Sequence, residues 1–239
     1  MNLKNACFIT LVIALTSILL TIGGYVIFYA TLFIEHFNIP NLINAVVAIL
    51  VLLLESGGFI IFLMAMMNRL RNPDANTGTL FVLAAILILL GALIGIGTSL
   101  IHAVGIYRYF AILRFMFYMG LYLFGFLAHL CLGILALTQS SAASSGKSPA
   151  ALALACFLVL FSLSIVNHAI CFQQSFQDEN LIRTVGFILM SLGGITNRVA
   201  VIFFLLMFLK HRPWPPMATV EDLPPEPLPT LSAEVDLPE

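Results

Sequence analysis

Six long apolar stretches constrain the fold of this chain more than any other feature. They cover residues 6–34, 41–67, 80–104, 109–137, 150–172 and 184–209. A helix needs about 20 mostly apolar residues to cross the hydrocarbon core of a bilayer, and every stretch is longer than that. With 61% hydrophobic and 9% charged residues, no soluble fold of 239 residues could bury so much apolar surface. We therefore predict an all-α, polytopic integral membrane protein with six transmembrane helices in a bundle, formed by residues 1–212.

The basic residues between the stretches predict the orientation of the bundle. In a six-helix zigzag, one side collects Lys4, Arg69, Arg71, Lys147, Lys210 and Arg212, whereas Arg108 and Arg183 fall on the other side. Because short loops rich in Lys and Arg stay in the cytoplasm, both termini are predicted to be cytoplasmic. The expected location is the plasma (cytoplasmic) membrane.

The segments outside the apolar stretches are short or rich in proline. Pro40, Pro73 and Pro149 are expected to lie between helices, since proline lacks a backbone donor. Residues 213–239 contain acids and prolines without Lys or Arg, and such a composition predicts a disordered cytoplasmic tail. No loop is long enough for a soluble domain.

Several classes of function receive no support from the sequence. There is no phosphate loop, HExxH motif, CxxC pair or glycine-rich nucleotide fingerprint, so nothing predicts an enzyme. A net charge of −1 argues against a nucleic-acid partner. The expected surroundings are the lipid bilayer, with a second copy or a partner membrane subunit as possible associates.

Two charged residues, Glu55 and Arg198, lie near the centres of apolar stretches. An ionisable group at the bilayer midplane costs about 2.5–3.5 kcal/mol on insertion scales, so it usually faces the bundle interior and has a partner. Counting 1.5 Å per residue from Arg69 and Lys210 places both about 18–21 Å from the inner boundary. A direct ion pair is geometrically possible if the two helices touch.

These charges lead to two main hypotheses. In the first, the protein is a small transporter or channel-like protein whose midplane solute or ion site contains Glu55, Arg198, Asn197, Asn44 and Tyr122. In the second, it is a non-catalytic subunit or scaffold of a larger complex, and the two charges only hold helices together.

The histidines provide a weaker third hypothesis, a haem-binding redox protein that uses His102 and His168. His36, His102 and His168 are also weak candidates for a metal site. The bland alternative is that these histidines are packed or interfacial, and no cofactor is the main expectation.

Glycines in the apolar stretches predict where helices approach closely. Gly91 and Gly95 form a GxxxG pattern on a stripe of small residues, which is typical of a packing seam. Three other stretches contain a glycine pair: Gly23-Gly24, Gly57-Gly58 and Gly193-Gly194.

Overall fold

A computed structural model describes residues 1–35, 39–72, 75–107, 112–140, 146–175 and 180–211. Within them the chain forms six α-helices: α1 (Leu3–Glu35), α2 (Ile39–Arg71), α3 (Gly78–Tyr107), α4 (Ile112–Ser140), α5 (Lys147–Ser175) and α6 (Leu181–Lys210). The side chains of residues 35, 41, 100–107, 112–114 and 173–175 are not described. The predicted tail, Pro73, Arg108, Arg212 and His36 lie outside the described residues, as does the side chain of His102.

All six helices are long and apolar enough to cross a membrane, which agrees with the six predicted spans. Only 28–33% of the most apolar window of each helix is buried inside the bundle. The large apolar side chains on the remaining surface need a nonaqueous solvent, and a lipid bilayer supplies it. The protein is a multi-pass membrane protein.

Two of the three prolines expected between helices lie in the first turn of a helix, so the expectation for these two is wrong. Pro40 is the second residue of α2, and Pro149 is the third residue of α5. The first turn of a helix leaves its N–H groups without helical acceptors, so a residue without an N–H fits there at little cost.

Each helix packs against its neighbours in sequence, and α6 returns to α1, so that the six helices close into a ring. The α1–α6 interface is the most extensive. The first residues of α1 and the last residues of α6 lie at one end, which we call the basic end because it also carries Arg69, Arg71 and Lys147. The other end is called the opposite end.

The interior of the ring is filled unevenly. The largest fully buried side chains all lie between the level of Glu55 and the basic end: Phe59, Phe62, Leu63, Met66, Phe81, Ile88, Leu132, Leu135, Phe157, Phe204, Leu205 and Phe208. Among them, Phe59, Phe62, Phe81 and Phe204 form an aromatic layer with edge-to-face contacts between ring centroids 5.4–5.8 Å apart. The half toward the basic end is therefore densely packed.

An arginine joins three helices at the basic end. Arg69 donates a hydrogen bond to the carbonyl of Gln139 at the end of α4, and its guanidinium carbon lies 5.8 Å from the ring centroid of Phe81 on α3. Since α-helix C-terminal carbonyls lack helical donors, an arginine is a suitable partner for one. This contact holds the ends of α2 and α4 together at the basic end.

Glycines let the helices of the ring approach closely. In each glycine pair, one of the two glycines lies at such a close contact. A Cβ on Gly24 would lie 2.7 Å from the carbonyl oxygen of Gly186, whereas one on Gly23 would meet nothing within 4 Å. Likewise, a Cβ on Gly58 would lie 2.7 Å from Ile88 of α3, and one on Gly57 would be free. Backbones pack directly where the side chain is missing, as in other membrane bundles.

We expect Gly24→Ala to destabilise the protein by about 1–3 kcal/mol, because overpacking a backbone contact forces α1 and α6 apart. Gly23→Ala is the matched control, and it should be neutral or stabilising because alanine favours the helix by up to about 1 kcal/mol. The check is the thermal unfolding midpoint of each purified variant in mild detergent. Equal midpoints for the two variants would contradict the proposed close contact.

Candidate functional site

Glu55 meets a histidine near the middle of the bundle. Its Oε2 atom lies 3.4 Å from Nε2 of His129 on α4, and the two side chains are 21% and 17% exposed. Glu55 lies 14 residues before Arg69 and His129 lies 10 residues before Gln139, so both side chains lie well inside the bundle, away from the basic end.

The hydrogen bond that His129 makes places one of its ring protons. Its Nδ1 atom is 2.8 Å from the carbonyl oxygen of Gly125, and a carbonyl can only accept, so Nδ1 carries a proton. Nε2 and the Glu55 carboxylate would then face each other as two acceptors unless one further proton lies on either group. That further proton would give either a carboxylate with an imidazolium or a carboxylic acid with a neutral imidazole. In both states the pair has no net charge.

Two cavities meet at this pair. The smaller, about 210 Å³, is bounded by α3 and α4 and includes Tyr122, Gly95 and Ser99 in its wall. The larger, about 330 Å³, lies toward α1, α5 and α6 and includes Tyr25, His168 and Asn197. Glu55, His129 and Arg198 line both cavities. The three ionisable side chains thus form the wall that the two cavities share, directly beside the densely packed half.

Arg198 does not pair with Glu55. Among the described residues, no nitrogen of Arg198 lies within 4.0 Å of a carboxylate oxygen, and the ion pair formed by Glu55 is with His129. The guanidinium instead folds back along α6, where Nη1 would lie 3.3 Å from a Cβ on Gly194. The cationic side chain of Arg198 therefore borders both cavities, with no described carboxylate oxygen within 4.0 Å of its nitrogens.

His168 lies beside the same glycine from the neighbouring helix α5. Its Nε2 would be 3.9 Å from a Cβ on Gly194, and its Nδ1 is 3.1 Å from Oγ of Ser191. The ring also makes an edge-to-face contact with Phe187, 6.2 Å between centroids. The missing side chain at Gly194 leaves a recess that two nitrogen-bearing side chains border.

Asn197 is the centre of a polar bridge, a set of hydrogen bonds with serines of two other helices. Its amide nitrogen lies 3.5 Å from Ser56 Oγ on α2, and its amide oxygen accepts from Ser17 of α1 at 3.5 Å. Both serines are buried. The bridge links α1, α2 and α6 at the edge of the larger cavity, and it satisfies polar groups that lipid would leave unpaired.

The remaining predicted site residues have different positions. Tyr122 lines the smaller cavity, whereas Asn44 is exposed near the start of α2 and lines neither of the two cavities. Asn44 points away because α2 turns its Ala45 and Ala48 face inward at that level.

The described residues contain no arrangement that supports the metal or haem hypothesis. Within the described residues, no group of three or more His, Cys, Asp and Glu side chains could hold a metal ion. His36 and the side chain of His102, the intended partner of His168, lie outside those residues.

Gly91 makes room for Glu55, as the expected packing seam on α3 implies. A Cβ on Gly91 would lie 2.7 Å from Cγ of Glu55, whereas one on Gly95 would lie 3.4 Å from Val51 and 3.8 Å from a Glu55 carboxylate oxygen. The GxxxG pattern thus determines how closely α3 approaches the acidic side chain.

The comparisons with known proteins add no relative: no family model, curated protein or solved structure matches this chain. What can be inferred about the site therefore comes from its own geometry.

We expect Gly91→Ala to destabilise the protein by about 1–3 kcal/mol by displacing the Glu55 side chain. Gly95→Ala, whose new methyl meets only ordinary contacts, is the control. Because the clash is with Cγ of Glu55, adding Glu55→Ala should recover part of the loss caused by Gly91→Ala. Thermal unfolding of the single and double variants measures this coupling, and purely additive effects would refute the contact.

Proposed function

We propose that the protein is a transporter for a small polar solute, which binds where the two cavities meet Glu55, His129 and Arg198. The single observation that carries the proposal is the convergence of these side chains from α2, α4 and α6 on one wall. Ionisable groups inside a membrane are costly, and those that line a cavity typically mark a path for ions, protons or solutes.

The uneven packing of the ring supports this proposal. The aromatic layer and the side chains beyond it close the half toward the basic end, and the cavities lie beside that closed half. A carrier needs a site that is closed toward one side of the membrane while it loads from the other. With the basic end assigned to the cytoplasm by the distribution of Lys and Arg, the closed side is the cytoplasmic one.

The Glu55–His129 pair gives this carrier a group that can take up and release a proton. One proton on either group, besides the one that His129 donates to Gly125, would make the pair neutral. Loss of this shared proton would leave a carboxylate beside a neutral imidazole and change the charge of the site by one. Such a change is the simplest means of coupling solute movement to a proton gradient.

A transport assay that works with an unidentified cargo tests the proposal. The full chain is reconstituted into liposomes, a small-molecule extract of the native cells is added outside, and a pH gradient is imposed. We expect mass spectrometry of the vesicle contents to find at least one solute enriched over protein-free liposomes. Glu55→Gln and Arg198→Gln should each reduce that enrichment at least tenfold while the protein still accumulates.

The matched control is Arg71→Gln, which makes the same chemical change at an exposed position of the basic end. It should transport like the unmodified protein. If no solute is enriched in any gradient, or if all three variants match the unmodified protein, the transporter proposal is wrong.

The scaffold hypothesis makes the opposite prediction for combined variants. If the charges only hold helices together, Glu55→Gln combined with Arg198→Met should be tolerated better than either change alone, because one surviving buried charge is the costly state. In a transporter the double variant stays inactive. The comparison requires only the amount of folded protein and the transport rate.

A further inference from the structure

Arg198 brings a positive charge to the larger cavity, and none of its nitrogens lies within 4.0 Å of a described carboxylate oxygen. The carboxylate of Glu55 in the same wall pairs with His129 instead. Arginine stays protonated under all ordinary conditions, so it cannot become neutral in response to burial. A charge in a poorly polarisable interior is strongly stabilised by a counter-ion. While one proton on the Glu55–His129 pair keeps that pair neutral, Arg198 gives the cavity one positive charge for an anion to balance.

We propose that the cargo is a small organic monocarboxylate, which binds Arg198 and His168 and moves together with one proton. This inference rests on the proposed transport function and adds the class of its substrate. The planar guanidinium fork matches the two oxygens of a carboxylate, which makes arginine the usual partner of this group.

The recess at Gly194 places a second donor beside the guanidinium. Nη1 of Arg198 and Nε2 of His168 would lie 3.3 Å and 3.9 Å from a Cβ on that glycine. When Ser191 donates its hydroxyl proton to Nδ1 of His168, the ring carries its proton on Nε2 and can donate it to an anion. The serine thus orients the histidine for the carboxylate that Arg198 attracts.

The rest of the lining favours an organic anion over an inorganic one. Val51, Leu52, Phe157, Phe187 and Met190 contribute apolar surface to the larger cavity. Its volume of about 330 Å³ lies at the lower end of the roughly 300–1,000 Å³ of small-molecule sites. A short apolar chain fits beside these side chains, whereas a hydrated inorganic ion gains nothing from them.

Charge balance couples the anion to the proton. With the shared proton present, the Glu55–His129 pair is neutral and the carboxylate of the cargo is the counter-ion of Arg198. When the pair loses that proton, Glu55 becomes a competing carboxylate in the same wall, and the cargo is released. Other titratable or charged groups that line the two cavities are Tyr25 of α1, Tyr122 of α4, His168 of α5 and Arg198 of α6. The described residues of α3 contribute none.

A binding measurement in detergent tests the substrate class without the passive leakage that short acids show in vesicles. The thermal unfolding midpoint of the purified full chain is followed against sodium butyrate, with butyramide and sodium chloride at matched ionic strength as controls. We expect a saturable rise of about 2–4 °C with butyrate alone. A comparable rise with butyramide or chloride would overturn the assignment to a carboxylate, and so would no rise with any of them.

Variants and pH make the test specific to the proposed site. Arg198→Gln should abolish the butyrate effect, and Gly194→Ala should weaken it at least tenfold, because its methyl group would fill the recess. Gly57→Ala, whose methyl meets nothing within 4 Å, should retain it. If Arg198→Gln does not fold, Gly194→Ala against Gly57→Ala decides the question, and equal butyrate affinities for these two would refute the site.

Glu55→Gln tests the coupling to the proton. In the unmodified protein, butyrate affinity should fall as pH rises and the shared proton is lost. Glutamine imitates the protonated acid at every pH. The butyrate affinity of this variant should therefore no longer fall as pH rises. An unchanged pH profile in the variant would overturn the coupling. If butyrate does not bind, the substrate class is wrong. The transport assay with the small-molecule extract then decides the transport function separately.

Discussion

The contact between Glu55 and His129 determines the character of the whole interior. Nδ1 of His129 is committed to the carbonyl of Gly125, so only Nε2 faces the carboxylate, and one proton between them removes their net charge. When a proton makes this pair neutral, Arg198 is the remaining charge in the wall that the two cavities share.

The two halves of the ring pack differently around this contact. Toward the basic end, phenylalanine and leucine side chains interdigitate, and Arg69 ties α2 to α4. From the level of Glu55 onward, small and polar residues such as Gly194 and Ser191 lie among apolar side chains such as Met190, and space remains between the helices. Glycines adjust this pattern locally: Gly91 admits the Glu55 side chain, and Gly194 leaves the recess beside Arg198. The same absence of a side chain thus serves close packing at Gly24 and an open recess at Gly194.

Sequence reasoning identified part of this site for a sound physical reason. Charges in apolar segments are so costly that their positions alone indicate the interior, and both Glu55 and Arg198 do line the cavities. Equal depth does not show which helices face each other, so the sequence left open whether Glu55 pairs with Arg198. Only the packed structure shows that His129 is the residue that meets Glu55.

The sequence by itself determined the six spans, since the length and apolarity of a segment decide whether it can cross a bilayer. It also determined that α3 would present a glycine seam, because helical spacing places Gly91 and Gly95 on one face. The tertiary structure alone decided that Pro40 and Pro149 begin helices, that Asn44 lies outside the cavities, and that Arg198 has no adjacent carboxylate among the described residues. These outcomes depend on the rotation and vertical offset of each helix against its neighbours. Those quantities come from side-chain packing summed over the whole ring, and no single segment contains them.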